Sequence, residues 1–314
     1  MRPSPADTAR DVFDALISEV LRVEDLGGDR YVVRHPGRSL GRVYGGEVAA
    51  QGLCAAAATV DGGRAPHSLH VSYLGLGDPD EPVHYDVRRL RDSRLYATRW
   101  VTASQGERLI AAMTASFQAT RPGLRHQLPT PDVEALPPPE SLPTRAALVA
   151  DAFGADAPAT ATGPWPIDIR YIDHAPWATP AESDRAAANR LWLRGAGSMP
   201  AHELVHAAVL AYASDLTMFE PVAFPHNTAA TPVWEQLSRG EMRGATLEHT
   251  IWFHRPARVD EWLLHEQESP VADDSRGLAT GRFYTAAGVL VASVAQEVAI
   301  LHVADAGPGT RAPR

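Results

Sequence analysis

Residues 45–60 read GGEVAAQGLCAAAATV, and this stretch decides the fold. The pattern predicts a helix opened by the pair Gly45–Gly46, with a buried face made mainly of alanine and other small residues. Such a helix suits a position against a concave sheet, where close backbone approach matters more than bulk. Sheet signals follow it directly. Residues 67–75, 83–90, 95–104 and 108–118 alternate or run apolar, and Gly/Asp/Pro clusters separate them, which predicts four antiparallel strands. Upstream, residues 7–22 carry Val12, Phe13, Leu16, Ile17, Val20 and Leu21 on one helical face. Gly27–Gly28 lie beyond that helix, and a short strand is expected at Arg30–Arg34.

The same order then recurs. Residues 120–165 are marked by Pro122, Pro129, Pro131, Pro137, Pro138, Pro139 and Pro143, and read as a linker with one short helix near 144–153. Beyond it come strands at 167–172 and 188–194, an alanine-rich helix at 201–214, and strands near 246–254, 261–268, 276–285 and 289–301. Ser68 to Gln118 and Thr246 to Gln296 span fifty residues each, and each span brackets a four-strand run. The expectation is an α+β double hotdog, two antiparallel sheets each wrapped around a central helix. Its parts are an N-terminal hotdog over 1–120, a Pro-rich linker over 121–160 and a C-terminal hotdog over 161–314. The competing reading is two unrelated α+β domains.

Bulk properties narrow the function. The chain has 314 residues, 45% hydrophobic and 21% charged, as expected of a globular protein. Its net charge of -9 argues against a nucleic-acid partner, which would require a basic face to displace counterions. A few local arginines still leave room for an anionic small ligand. Every basic residue is arginine, which we attribute to a GC-rich genome. Cys54 is the sole cysteine, so neither a disulfide framework nor a thiolate cluster is expected. The acidic, polar-interrupted N-terminus does not read as a secretory signal, and no apolar run approaches a membrane span. A cytoplasmic location is expected.

Three short motifs match known chemistry. His202-Glu203-Leu204-Val205-His206 is a formal HExxH, with Glu220 or Glu235 available as a third zinc ligand. Val209 stands where the extended motif needs glycine, and the simpler reading places both histidines on an exposed helix face. Gly37-Arg38-Ser39-Leu40-Gly41 is a formal GxSxG, but too little chain precedes Ser39 to build the sheet a nucleophile elbow requires. Asp260 and His265 suggest a hydratase pair, yet five residues apart on a strand they would face opposite ways.

Three further segments stand out together: Tyr212-Ala213-Ser214-Asp215-Leu216 at the end of the second alanine-rich helix, Ala245-Thr246-Leu247-Glu248-His249-Thr250-Ile251-Trp252-Phe253-His254-Arg255-Pro256 opening a strand, and Ala292-Ser293-Val294-Ala295-Gln296-Glu297 in the last one. With Val43-Tyr44-Gly45-Gly46-Glu47-Val48 and Met113-Thr114-Ala115-Ser116-Phe117-Gln118, they resemble the acyl-CoA thioesterase II family of double-hotdog enzymes. The resemblance runs from about residue 18 to about residue 303, lapsing only in the linker. It implies hydrolysis of acyl-CoA, with Asp215, Thr246 and Gln296 holding and activating the attacking water. It implies no cofactor and no metal.

The residue types suit that task. A carboxylate can take the water's proton, while a hydroxyl and an amide can aim its lone pair without competing as nucleophiles. The oxyanion needs donors, and the helix start at Gly45 and Gly46 offers free N–H groups. The sequence departs from the family at Glu47, usually glutamine, at Gly75-Leu76, usually arginine-proline, and at Ser93, usually glycine. These bear on substrate preference. The alternatives are a non-catalytic acyl-CoA-binding hotdog, a hotdog enoyl-CoA hydratase and the HExxH zinc hydrolase. Hotdog sheets commonly associate by their edges, so a homodimer or homotetramer is expected.

Overall fold

The structure, a computed structural model, describes residues 5–34, 41–129, 132–154, 165–173, 175, 187–226 and 233–302. The alternation legible in the sequence becomes a sheet with one buried face. Along Tyr96–Gln105, Ala97, Arg99, Val101, Ala103 and Gln105 are buried while Trp100 faces out. The strands are β1 (Glu24–Asp25), β2 (Arg30–Val33), β3 (Arg64–Tyr73), β4 (Val83–Asp92), β5 (Tyr96–Gln105), β6 (Arg108–Ala119), β7 (Ile167–Tyr171), β8 (Ala188–Gly195), β9 (Met242–Phe253), β10 (Leu263–Asp273), β11 (Arg276–Thr285) and β12 (Leu290–His302). The first helix runs as α1 over Pro5–Ala15 and ends in a π turn, Leu16–Val20. The alanine-rich stretches form α2 (Gly45–Ala58) and α4 (Glu203–Ser214). Shorter helices are α3 (Arg145–Phe153), α5 (Glu220–Ala223) and α6 (Val233–Ser238).

The strands lie in the order β1-β2-β4-β5-β6-β3-β9-β12-β11-β10-β8-β7. This is the double hotdog, and the order of one half mirrors that of the other. The two hotdog sheets join edge to edge, because β3 pairs antiparallel with β9 from Ser68↔Trp252 to Ser72↔Glu248. The central helices α2 and α4 pack on each other on the inner side. Their small residues permit this: a Cβ on Gly46 would collide with the Tyr212 carbonyl of α4, and one on Gly52 with the Met113 sulfur on β6. Leu53, Leu69, Val101, Met113, Phe117, Leu210, Ile251 and Phe283 fill the space between helices and sheet.

Duplication shows in the irregularities. β3 bulges at His67 against β6, since Pro66↔Phe117 is followed by Ser68↔Ser116. β9 bulges at Leu247 against β12, since Thr246↔Val298 is followed by Glu248↔Glu297. Each bulge lies six residues before its strand's end, at Tyr73 and at Phe253. The pairs Leu69↔Ala115 and His249↔Gln296 therefore occupy the same place in the two halves. The fifty-residue spacing noted in the sequence is thus no structural equivalence: Gln118 pairs with Ala65, and Ala115 is the counterpart of Gln296.

The Pro-rich segment docks on the C-terminal half. Gln127 Nε2 donates to the Gly288 carbonyl at 3.0 Å, and the Trp192 and Trp262 indoles donate to the Pro137 carbonyl and to Glu140.

Candidate active site

The expected triad converges. Asp215 is the C-cap of α4 and is 8% exposed. Thr246 Oγ1 donates to Asp215 Oδ1 at 3.0 Å, and Gln296 Nε2 donates to Thr246 Oγ1 at 3.2 Å. A helix end, the start of β9 and the middle of β12 thus contribute one polar group each to a single chain of contacts.

The chain continues through two residues that the sequence reading did not assign. His249 Nδ1 lies 2.7 Å from Gln296 Oε1, and His249 Nε2 lies 2.9 Å from Ser214 Oγ. His249, Ser214 and Gln296 are essentially inaccessible to solvent. Burial pushes the His249 pKa below its ordinary value, against the opposing pull of the Asp215 charge, so the ring is neutral near pH 7. The available signal was the HTIWFH run itself. Its histidine stands three residues after Thr246, a spacing that on a regular strand would turn the two apart.

The start of α2 closes the other side. A Cβ on Gly45 would lie 2.9 Å from Asp215 Oδ2 and 3.1 Å from the Tyr73 ring. A Cβ on Gly46 would lie 2.5 Å from the Tyr212 carbonyl and 2.6 Å from the Tyr44 ring. Both glycines are therefore required by space, and the Gly45 end of α2 lies beside the Asp215 carboxylate. The Tyr44 hydroxyl donates to the Tyr212 carbonyl at 2.9 Å, and the Tyr73 hydroxyl donates to the Gly45 carbonyl at 2.7 Å. Burial and then the Asp215 charge push both phenols well above their usual range, so they remain neutral donors. Glu47 accepts from Gln51 Nε2 at 2.9 Å one helical turn on.

The N-terminal half lacks the set. Thr59 caps α2 where Asp215 caps α4. Pro66, Leu69 and Ala115 hold the places of Thr246, His249 and Gln296. None of those three side chains can donate or accept a proton.

The remaining motifs resolve differently. His202 is the N-cap of α4, and His206 is buried rather than on an exposed face, its Nδ1 accepting the Val259 N–H at 3.2 Å. Among the described residues, no group of three His, Cys, Asp or Glu side chains could hold a metal ion. Asp260 lies in the turn before β10, where it takes Arg258 and the Met199 N–H, while His265 is buried against the Phe283 ring. Ser39 and the rest of its motif up to Leu40 lie outside the described residues.

The chain is similar to known proteins along most of its length. A family model for acyl-CoA thioesterase matches residues 166–299, and one for the acyl-CoA thioesterase N-terminal domain matches residues 34–118. The chain is 34% identical to acyl-coenzyme A thioesterase 8 of Mus musculus, over 93% of this chain and 90% of that one. It is 32% identical to acyl-CoA thioesterase 2 of Haemophilus influenzae, over 91% and 97%. Among solved structures, an acyl-CoA thioesterase II from Mycobacterium marinum superposes with a TM-score of 0.72 at 34% identity, covering 91% of this chain and 98% of that one.

Proposed function

The chain belongs to the acyl-CoA thioesterase family, and we propose that it hydrolyses acyl-CoA with water activated by Asp215, Thr246 and Gln296. The observation that carries this reading is the unbroken contact from Asp215 through Thr246 to Gln296. The carboxylate serves as general base. Its Oδ1 is engaged by Thr246, so Oδ2, facing the start of α2, is the oxygen placed to receive the proton. The second N–H of Gln296 orients the water or the thioester carbonyl. As water adds, charge develops on the carbonyl oxygen, and the free N–H groups of Gly45 and Gly46 with the α2 dipole offset it. Collapse of the tetrahedral species breaks the carbon–sulfur bond and releases CoA thiol and free acid. A thioester carbonyl is electrophilic enough that no covalent intermediate is needed.

The division of labour expected from the sequence is supported by where these groups lie. All three water-handling residues fall in the hotdog assigned to 161–314, while the one assigned to 1–120 lends the helix start. Association into a dimer or tetramer is supported by Trp100 and Trp252, both partly exposed on the outer sheet face. A cytoplasmic role in fatty acid and lipid metabolism fits the chemistry. It also fits a lone, partly buried cysteine whose thiol pKa is pushed up to about 12 by desolvation.

Single-turnover hydrolysis in H2-18O tests the water-attack reading. One heavy oxygen should enter the released acid in the first turnover. Acid that emerges unlabelled, with label appearing in the protein, would mean acyl transfer to a protein carboxylate through an anhydride instead.

A further inference from the structure

We infer that His249 is a positioning residue whose Nδ1–H fixes the amide of Gln296 in the one orientation that serves the reaction. This rests on the catalytic reading of Gln296 given above. The argument is a count of protons. The Thr246 hydroxyl has one hydrogen, and the Asp215 carboxylate can only accept, so Thr246 gives its hydrogen to Asp215. Thr246 must then accept from Gln296, which turns Nε2 toward Thr246 and Oε1 toward His249. A carbonyl oxygen 2.7 Å from Nδ1 requires the proton there, leaving Nε2 as an unprotonated acceptor 2.9 Å from the Ser214 hydroxyl. The direction of donation is thus set from His249 to Gln296 to Thr246 to Asp215, and the single hydrogen of Ser214 has two acceptors in reach, His249 Nε2 at 2.9 Å and the Ala211 carbonyl at 3.0 Å. Burial, which keeps His249 neutral, permits a single Nδ1–H tautomer.

The opposite tautomer has a defined consequence. With the proton on Nε2, Ser214 would turn its hydrogen to the Ala211 carbonyl, 3.0 Å away, and Gln296 would flip to donate to Nδ1. Thr246 would then give its hydrogen to Gln296, and Asp215 would lose the Thr246 hydrogen bond. In the N-terminal half, which lacks the whole set, Ala115 and Leu69 hold the places of Gln296 and His249.

The test is thiol release from an acyl-CoA by wild type, H249L, H249N, H249D, Q296A and the double variant H249L/Q296A, each checked for an unchanged circular dichroism spectrum. Asparagine places an N–H as far from Cβ as Nδ1; aspartate has the same shape and no hydrogen. H249L should lower kcat by roughly 10²-fold, the scale of one lost transition-state donor, with KM little changed. H249N should recover at least about ten-fold of that loss, and H249D should recover none. H249L/Q296A should be no slower than Q296A, because His249 acts only through Gln296. Equal rates for H249N and H249D, or a double variant much slower than Q296A, would overturn the proposal while the catalytic reading stands. Q296A as fast as wild type would overturn both. A readout independent of turnover is the 15N spectrum of the His249 ring. It should show Nδ1–H with an unprotonated Nε2, and the reverse tautomer would refute the inference even in a fully active enzyme.

Discussion

Thr246 and His249 are three residues apart on β9 yet meet the same amide, because the bulge at Leu247 turns both side chains to the inner face. A bulge adds one residue to a strand without a partner across the ladder, and so reverses the alternation beyond it. Here it delivers a hydroxyl to Asp215 and an imidazole to Gln296 from a single strand.

That delivery makes the Thr246 hydroxyl separable from its methyl group. Thr246→Ser keeps the donor to Asp215 and should retain activity within about ten-fold, whereas Thr246→Val keeps the shape and should lower kcat by roughly 10²-fold. Steady-state thiol release by the two variants gives the comparison. Equal rates would remove the hydroxyl from the mechanism.

Gly46 has no room to change. A methyl group there would lie 2.5 Å from a backbone carbonyl, that of Tyr212, which has no flexible end to swing aside. Gly46→Ala should push the start of α2 away from Asp215, lowering kcat at least about ten-fold and costing roughly 1–3 kcal/mol of stability. Gly46→Val should be worse on both counts. Thermal unfolding and thiol release, measured on the same preparations, check this; a stable variant with unchanged kcat would remove Gly46 from the site.

Glu220 makes stability depend on pH in a direction unusual for a carboxylate. It is 4% exposed, Oε1 accepts from the Tyr171 hydroxyl at 2.7 Å, and Oε2 has no hydrogen-bond partner among the described residues. Burial pushes its pKa up to about 8 from 4.5. Below the lower value both folded and unfolded chains hold the proton. Between the two, only the folded chain does, so its contribution to stability falls as pH rises through that window and is level above it. Glu220→Gln should match wild type near pH 4 and exceed it by about 1–3 kcal/mol near pH 8. Urea midpoints across that range report the gap, and parallel curves would show that Glu220 titrates normally.

The sequence carried most of the fold because alternation and alanine richness are local signals. The strand at 276–285 and the helix near 144–153 were legible to within a residue or two. Joining of the two sheets through β3 and β9 was not, since edge pairing between distant strands leaves no periodic trace. At the site, Asp215, Thr246 and Gln296 were reachable through motif resemblance. His249 was not, because the bulge at Leu247 breaks the period by which faces are assigned. His206 was misplaced on an exposed face for a different reason. Polarity suggested solvent, but its Nδ1 satisfies the buried Val259 N–H, a partner 53 residues away.

The water-activating role of Asp215 is tested most directly by the first-order rate of CoA thiol release from saturating acyl-CoA, wild type against Asp215→Asn. Asparagine keeps an oxygen for Thr246 but cannot take a proton. The rate should fall by about 10²–10⁴-fold, the range of a lost general base, with the unfolding midpoint and the affinity for acyl-CoA preserved. Release by Asp215→Asn at the wild-type rate would contradict a base at this position.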